Sequence, residues 1–445
     1  MSNQNQIIGF ISHAILAGEW QTDAIKERIG RSIGYQFNAR LLIKELMSEF
    51  ELTQAQTQHT AIQQFLKNNV TFQQCWGEQR QLIQLDKIYI PKQDRCRPPR
   101  QLNHIELPAL NTEQQLGDWF KISVNDLIWL SGIWEKPYDA KSCKLYHYHY
   151  QWLKKHNGKK RLVEIPKSRI KSLQKKISIQ CLDSIPIHQN AHGYCKNKSC
   201  QTLVQQHIAK PTILKMDLQN FFASIDYRKI FNLFFSLGYN KDISRLFAHL
   251  CTTATPLSVL SAELIAGQQK DYWHQRKLYR ERHLPTGAPS SPVISNLCFF
   301  NLDCRLTAFA EKMGLNYSRY VDDMVFSGGR EFYNKSDYLI KTISKICQSE
   351  YFFINHKKTQ LLKPHQSQQV CGLVVNQKPN LTRKNYDQLK AILYNCVRTS
   401  PKQQNRLNHA NFKEHLAGKI AYLSQINPQK GQKLADLFDQ ICWME

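Results

Sequence analysis

Three aspartates end apolar segments of the chain, and together they could hold divalent metal ions. Asp217 closes TILKMDL, which reads as a buried strand, while Asp322 and Asp323 lie in the predicted turn of a hairpin, YSRYVDDMVFSG. Adjacent carboxylates in a partly buried turn repel each other unless a cation neutralises them. Mg²⁺ prefers oxygen ligands, and two ions about 3.5–4 Å apart can stabilise both oxygens of a phosphoryl transfer. The pattern therefore predicts a metal site, although an isolated Asp-Asp pair is more often a solvated turn.

Basic residues form a second group that is suited to phosphate chemistry. From Tyr146 the chain predicts a β-hairpin with a basic tip around Gly158, made of Lys154, Lys155, Lys159, Lys160 and Arg161. Residues 165–185 predict a helix with one apolar face and lysines on the others. Further on, cations alternate with aromatic residues in a way that could hold a single strand: Lys270, Arg276, Lys277, Arg280 and Arg282 with Tyr272, Trp273 and Tyr279. For each segment a solvated surface is the alternative.

The elements around these residues are mostly helical at the two ends of the chain. Apolar residues at three- and four-residue steps predict buried helical stripes in the first 90 residues, at Ile25, Ile29, Phe37, Leu41, Leu42, Leu46 and Met47. Four prolines between residues 91 and 111 predict a linker. Thr112 is predicted to cap a short helix, and residues 123–130 are predicted to form a second helix. Three amphipathic patterns in the last 60 residues predict a small helical unit.

Charge is unevenly distributed along the 445 residues. The chain carries 60 Lys and Arg against 35 Asp and Glu, a net charge of +25. Residues 1–140 sum to −1 (14 against 15) and residues 141–445 to +26 (46 against 20). The hydrophobic fraction of 42% can form a core, which excludes a disordered or collagen-like protein. A basic excess confined to one part favours nucleic acid as the partner of that part.

Cysteine usage and hydropathy predict a reduced, cytoplasmic setting without membrane contact. The 13 cysteines include no Cys-x2-Cys pair of the kind that zinc sites use. The apolar run from Ile7 to Leu16 is short and lacks the basic leader of a secretory signal. No segment approaches the roughly 20 apolar residues of a membrane span.

Several segments resemble, in order and spacing, the successive motifs of reverse transcriptases. They are LKMDLQNFFASID, LPTGAPSSPVISNL, YSRYVDDMVFSG, FINHKKTQLL and VCGLVVN. Upstream, GKKRLVEIPKSRIKSLQKKI and NAHGYCKNKS resemble the fingers motifs of that family, and the chain from LKAILYNC onward resembles its thumb. The resemblance covers about residues 108–445 and is greatest to bacterial retron-like and defence-associated enzymes.

This resemblance implies an α+β fold of the right-hand polymerase type. Such a fold has fingers, a palm built on an antiparallel sheet and a helical thumb, here preceded by an α-helical N-terminal extension. We therefore expect the extension over residues 1–90, a linker over 91–111, fingers and palm over 112–375 and the thumb over 376–445.

The resemblance also implies the roles of individual residues. Asp217, Asp322 and Asp323 would be the ligands of two Mg²⁺ ions, which Mn²⁺ could replace. Phe222 would lie under the sugar of the incoming dNTP and exclude a 2′-hydroxyl, or else be one more core phenylalanine. Lys358 would protonate the leaving pyrophosphate, unless Lys357 takes that place in the motif.

The remaining implied contacts are with substrate. They are Lys160 and Arg161 at the triphosphate, Gly287, Ala288, Pro289, Ser291 and Pro292 behind the nucleotide and template base, and Tyr320 beside the aspartates. Glycine permits unusual dihedrals and proline fixes them, as close approach to a substrate requires. A solvated hairpin tip is the alternative for Arg161. Thr286 stands where many relatives carry Gln, which leaves the contact with the base open.

Two retron patterns are incomplete in this chain. Where retrons usually have Asn-Ala-x-x-His, this chain retains only His207, and where they have Val-Thr-Gly it reads Val370-Cys371-Gly372. A retron that primes cDNA from its own RNA is therefore one class among several defence enzymes. Intron mobility is disfavoured, because no maturase domain or Cys/His cluster is apparent.

We expect an RNA-directed DNA polymerase that makes cDNA on an RNA template by two-metal phosphoryl transfer. Its expected setting is bacterial anti-phage defence with a dedicated, structured noncoding RNA. The N-terminal extension would bind that RNA, a protein or a second protomer. One alternative is a nucleic-acid-binding scaffold that keeps the fold and holds RNA or a toxin partner. Another is a template-independent or protein-primed DNA polymerase.

Overall fold

A computed structural model describes residues 4–17, 20–35, 39–50, 59–83, 105–133, 146–154, 160–260 and 269–443. The chain divides into two compact units. The first comprises residues 1–103, 109–124 and 234–245, and the second comprises residues 104–108, 125–233 and 246–445. Most of the predicted linker, residues 91–104, lies outside the described part of the chain.

Within the described residues, five N-terminal helices of the first unit form a core of their own. They are α1 Gln4–Leu16, α2 Thr22–Ile33, α3 Arg40–Glu49, α4 His59–Asn68 and α5 Val70–Gln79. Ile25, Ile29 and Leu42 are buried, as their helical spacing predicted. The prediction is wrong for Leu41, which is 59% exposed because it lies about 100° around the helix from Leu42. Phe37 lies outside the described residues.

The elements predicted between residues 112 and 185 are present. The Thr112 hydroxyl caps α6 Glu113–Phe120 by accepting a hydrogen bond from the Gln115 N–H (3.2 Å), and α7 Val124–Ser131 follows. An antiparallel hairpin pairs β1 Tyr148–Lys154 with β2 Lys160–Pro166, and its predicted tip, residues 155–159, lies outside the described residues. Helix α8 Ser168–Ile177 then buries its predicted apolar face and continues as one π-helical stretch, Ser178–Leu182.

A four-stranded antiparallel sheet lies at the centre of the second unit. Its strand order is β4-β5-β3-β6, formed by β3 Thr212–Asp217, β4 Asn316–Tyr320, β5 Asp323–Gly328 and β6 Gln360–Leu362. Five of the six β3 residues are buried, which explains its continuous apolar sequence. A short hairpin, β7 Gln369–Val370 with β8 Leu373–Val374, follows.

The other helices lie between the strands in sequence or follow them. The first group is α9 Cys200–Val204, α10 Tyr227–Ser236, α11 Lys241–Cys251, α12 Leu257–Leu260 and α13 Gln269–Arg280. The second is α14 Ser291–Cys298, α15 Phe300–Lys312, α16 Glu331–Asn334 and α17 Ser336–Ser349. The C-terminal group is α18 Arg383–Arg398, α19 Pro401–Gln404, α20 Phe412–Ile426 and α21 Pro428–Asp439.

The C-terminal helices share an apolar core in which Leu389, Leu393, Leu416 and Leu434 are buried, as their spacing predicted. None of the helices in the described ranges is long and apolar enough to cross a membrane. The observed elements confirm an α+β chain with an antiparallel sheet and helical regions at both ends.

Candidate active site

The sheet brings the three predicted aspartates to one edge. Asp217 is the last residue of β3, and its register partner is Asp323, the first residue of β5. Asp322 lies in the turn between β4 and β5. Its backbone carbonyl accepts a hydrogen bond from the Leu218 N–H (3.1 Å). Antiparallel pairing therefore places the carboxylates of Asp217 and Asp323, which are 106 positions apart in sequence, side by side.

Burial and crowding change the acidity of Asp322 and Asp323. Burial and the neighbouring Asp217 carboxylate raise the pKa of Asp322 above its ordinary value. Burial, Asp322 and Asp217 raise the pKa of Asp323 to about 6, although part of its side chain remains open to solvent. Repulsion of this kind is relieved by a cation.

Lys358 supplies one such cation. Its Nζ lies 2.7 Å from Asp217 Oδ2, while Asn355 Nδ2 donates to Asp217 Oδ1 (3.2 Å). Burial alone would lower the pKa of Lys358, but the bond to the Asp217 carboxylate raises it above its ordinary value. Of the two lysines left open by the sequence, the structure therefore brings Lys358 to the aspartates.

The donor set fits a hard divalent cation. Within the part of the chain that the structure describes, no three His, Cys, Asp or Glu side chains are already arranged as a metal site. The carboxylates of Asp217, Asp322 and Asp323 nevertheless offer only oxygen ligands, the type that Mg²⁺ and Mn²⁺ prefer. Burial and mutual repulsion raise the pKa values of Asp322 and Asp323, and a bound dication would remove the repulsion.

Arg319 holds the turn that carries Asp322. The guanidinium is fully buried and donates from Nη1 to the Val321 carbonyl (2.8 Å) and to Asn296 Oδ1 (3.1 Å). It also donates from Nε and Nη2 to both oxygens of the buried Asp303 carboxylate (2.9 and 2.7 Å). This bidentate pair satisfies two charges that would be costly if either were alone.

Gly193 closes the other side of the same turn. Val321 has a left-handed backbone (φ 61°), and a Cβ on Gly193 would come within 2.8 Å of its nitrogen. The Gly193 carbonyl in turn accepts from Asn296 Nδ2 (2.9 Å). We name Gly193, Asn296, Asp303 and Arg319 the turn clamp. The motifs in the sequence did not predict the turn clamp, although an arginine inside the apolar strand YSRYV is a signal that indicates a buried ion pair.

His207, the retained residue of the retron pattern, is buried under the sheet. Its ring nitrogens lie at hydrogen-bond distance from the hydroxyls of Ser318 on β4 and Ser327 on β5. Burial lowers its pKa to about 3, so the ring is neutral at physiological pH. His207 thus joins the two strands of the aspartate hairpin.

Tyr320 lies next to the aspartates, and Phe222 is close to Asp217 in sequence. Tyr320 ends β4 opposite Asp323, and burial together with the Cys200 thiol raises its pKa to about 12. Phe222 follows β3 by five residues and is 8% exposed, with its ring centroid 5.5 Å from that of Phe221. The small exposed fraction is compatible with both alternatives for Phe222, a contact with the sugar or a place in the core.

The predicted substrate loop packs against β2. The Gly287 N–H donates to the Glu164 carbonyl (3.2 Å), and a Cβ on Gly287 would lie 2.6 Å from that oxygen. Thr286 Oγ1 donates to the Leu162 carbonyl (3.3 Å). The glycine is therefore required for a close approach to backbone rather than to substrate. Of the other predicted loop residues, Ala288 and Ser291 are buried, and Pro289 and Pro292 are half-buried.

The two predicted triphosphate contacts begin β2. Lys160 and Arg161 are exposed, and they pair across the hairpin with Lys154 and Leu153. The positive charge of Arg161 acts on Asp322 and partly offsets the rise of its pKa. The structure thus brings Arg161 within electrostatic reach of the carboxylates.

The predicted single-strand surface at residues 270–282 is wrong for two of its members. Arg282 turns inward and donates to the carbonyls of His249 and Thr252 (3.2 Å each) and of Gly132 (3.0 Å). Tyr279 is only 9% exposed. Because both are used inside the fold, they cannot bind a strand. The side chains of Lys270, Tyr272 and Trp273 lie outside the described part of the chain.

Comparison with known proteins identifies a family whose sequences match this chain. Residues 153–381, just over half of the chain, match the family described as "Reverse transcriptase (RNA-dependent DNA polymerase)". The chain is 28% identical to the Retron Mx65 reverse transcriptase of Myxococcus xanthus over 342 residues, which cover 75% of this chain and 73% of that protein. It is also 28% identical to the Retron Ec86 reverse transcriptase of Escherichia coli over 340 residues, covering 75% and 90%.

Among solved structures, the chain overlaps telomerase from Candida albicans in complex with a TWJ fragment of telomeric RNA. The TM-score is 0.34 at 10% identity, and the overlap covers 65% of this chain and 56% of the telomerase chain.

Proposed function

The chain belongs to the reverse transcriptase family, and from this premise we propose that Asp217, Asp322 and Asp323 form its polymerisation site. Membership makes the protein an RNA-directed DNA polymerase of the right-hand fold, one that acts on an RNA template. The observation that carries the proposal is the register of the sheet, which pairs Asp217 with Asp323 beside the clamped turn of Asp322.

We assign Mg²⁺ to these carboxylates, with Mn²⁺ as a substitute. Two bound ions would supply activation of the primer 3′-hydroxyl and charge stabilisation of the leaving pyrophosphate. Side chains of the protein bind the substrate and donate the proton. Lys160 and Arg161 neutralise the triphosphate, and the loop of residues 287–292 backs the nucleotide and the template base. Lys358, kept protonated by its raised pKa, donates a proton to the pyrophosphate.

Primer extension on poly(rA)/oligo(dT) tests this function. Purified protein should incorporate dTTP in the presence of Mg²⁺ and lose all incorporation when EDTA is added, since the carboxylates then have no cation. Restoration by excess Mg²⁺ or Mn²⁺ controls for damage by the chelator. Incorporation that persists in EDTA would contradict the metal assignment.

Phe222→Ala should weaken discrimination against ribonucleotides. Loss of the ring opens space for a 2′-hydroxyl, and we expect incorporation of rUTP relative to dTTP to rise by about 10–100-fold, the range over which an apolar pocket discriminates a hydroxyl. The ratio of kcat/KM for the two nucleotides measures it. Phe352→Ala is the matched control, because Phe352 packs on Phe221 and Phe299 and should lower stability without changing that ratio. An unchanged ratio in Phe222→Ala would assign Phe222 to the core.

We infer that fingers and palm occupy residues 112–375 and the thumb residues 376–445, and that the enzyme uses a dedicated, structured noncoding RNA in a cytoplasmic, anti-phage role. The +26 charge of residues 141–445 and the similarity to retron enzymes support the RNA partner. Residues 1–90, with their own core, would bind a protein or a second protomer. Sequencing of copurified RNA tests the RNA partner, since failure to enrich one species over a mock purification would exclude it.

A further inference from the structure

A buried carboxylate lies beneath the predicted nucleotide contacts. Glu164 is in the middle of β2 and is fully buried. Its Oε1 accepts a hydrogen bond from Thr255 Oγ1 (2.6 Å), and its Oε2 lies 3.0 Å from His283 Nε2. A charge in such a place is tolerated only with partners of this kind.

The hydrogen bonds of His283 show that it shares a proton with Glu164. Its Nδ1 lies 2.8 Å from the carbonyl oxygen of Glu281, which can only accept, so Nδ1 carries a hydrogen. Nε2 faces a carboxylate oxygen, and a second proton must lie between these two atoms. Without that proton, two lone pairs would face each other in a buried site. Burial by itself lowers the pKa of His283, but the Glu164 carboxylate raises it above the ordinary 6.5.

The pair is connected to both predicted substrate-binding segments. The Glu164 N–H donates to Thr286 Oγ1 (3.3 Å), and its carbonyl accepts from the Gly287 N–H (3.2 Å). Arg161 lies three residues earlier on the same strand. On the other side, His283 exchanges two backbone hydrogen bonds with Thr253 (2.9 and 3.0 Å). A shift of Glu164 would therefore move the strand of Arg161 relative to the loop.

We propose that Glu164 and His283 are positioning residues for nucleotide binding, whose shared proton holds the strand of Arg161 against the loop of residues 286–292. The inference rests on the proposed role of Arg161. It predicts that the enzyme binds dNTP less well as pH rises, because the neutral ring can donate to only one of its two acceptors, the Glu164 carboxylate and the Glu281 carbonyl, and the link between the two segments weakens.

Other ionisable groups around the pair do not account for such a change. They are Tyr148 and Tyr150 on β1, Arg161 on β2, Tyr279 on α13, Asp226, Glu281 and Arg282. Burial raises the pKa values of the three tyrosines above their ordinary value of 10, so they stay neutral while His283 titrates. The arginines keep their charge throughout. Since a raised histidine pKa stabilises the folded arrangement below that pKa, the effect is lost as pH rises through it.

Glu164→Gln is the decisive variant. A glutamine amide can donate to neutral His283 Nε2 while its oxygen still accepts from Thr255, so the link survives without a titrating proton. We expect KM for dTTP on poly(rA)/oligo(dT) to rise in the wild type by up to about tenfold per pH unit above the pKa of His283. In Glu164→Gln, KM should not change with pH. His365→Gln, on an exposed histidine, is the matched control and should keep the wild-type profile.

Each outcome has a definite meaning. A purely structural role would lower the unfolding temperature and the active fraction of Glu164→Gln but leave the pH profile of KM as in the wild type, and that result would overturn the proposal. If the variant does not fold, the wild type decides, because a KM that is constant between about pH 6 and pH 9, the histidine range and above, overturns the proposal as well. Absence of incorporation by the wild type at every pH would contradict the proposed function instead.

Discussion

Asp322→Asn is expected to lower dTTP incorporation on poly(rA)/oligo(dT) by about 10²–10³-fold, the cost of removing one preorganised electrostatic group from an active site. Asparagine keeps the shape of the side chain but removes the negative charge that a divalent cation needs. Incorporation per active molecule in Mg²⁺, measured across protein concentrations, gives the ratio. The substitution should not lower the stability of the folded protein. Because burial and the neighbouring Asp217 carboxylate raise the pKa of Asp322, its ionised form destabilises the folded state at neutral pH, and the unfolding temperature should stay equal or rise.

Asp337→Asn is the matched control for this experiment. Asp337 is an exposed aspartate in the first turn of α17, and its substitution removes the same charge without touching the three carboxylates. Equal incorporation by wild type and Asp322→Asn would refute the metal-site assignment. No incorporation by either would favour the scaffold alternative. Incorporation without the RNA template, or DNA covalently attached to the purified protein, would favour template-independent or protein-primed synthesis.

Arg319→Met should destabilise the protein by about 3–5 kcal/mol, because it leaves the Asp303 carboxylate buried without a partner. The same substitution removes the donor to the Val321 carbonyl, so the turn of Asp322 loses its support and activity should fall as well. Equilibrium unfolding by urea measures the change in free energy of unfolding, and primer extension well below the unfolding transition measures activity.

Arg305→Met on the same helix as Asp303 provides the comparison. Arg305 Nη1 lies 2.7 Å from Glu350 Oε1, but both side chains are exposed, so its loss should cost less than about 1 kcal/mol. In the double variant Arg319→Met/Asp303→Leu the buried charge is gone, and much of the stability should return while activity stays low. Equal destabilisation by Arg319→Met and Arg305→Met would mean that the turn clamp contributes nothing beyond a surface ion pair.

Local sequence patterns predicted the elements of this fold and the positions of its aspartates. An apolar run ending in Asp217 and a hairpin around Asp322 have short-range signatures, and their pairing follows from antiparallel register. The family resemblance, drawn from the order of the motifs, is confirmed by the match of residues 153–381. Roles of single residues at the site stay predictions until the variants are measured.

Contacts between distant segments were out of reach of the sequence. Glu164 and His283 are 119 positions apart, and nothing local marks either as the partner of the other. The sequence predicts that Gly287 allows a close approach of the substrate. In the structure, the neighbour that excludes a Cβ at this position is the Glu164 carbonyl. Alternating cations and aromatic residues predicted that Arg282 contacts a single strand, with a solvated surface as the alternative, yet its guanidinium donates hydrogen bonds to the backbone carbonyls of Gly132, His249 and Thr252. Such errors arise because the sequence shows which residues are charged but not which way their side chains point in the fold.

The left-handed backbone of Val321 has a consequence for how this sequence can change over evolutionary time. A β-branched residue in that region is held at a cost of order 1–3 kcal/mol, which its surroundings must offset. Gly193, Asn296 and Arg319 all contact this one residue or each other, so substitutions among them are expected to be non-additive. A substitution at Val321 or at one of these three contacting residues is then tolerated only when the other three residues are compatible with it. We therefore expect these four residues to change together in evolution.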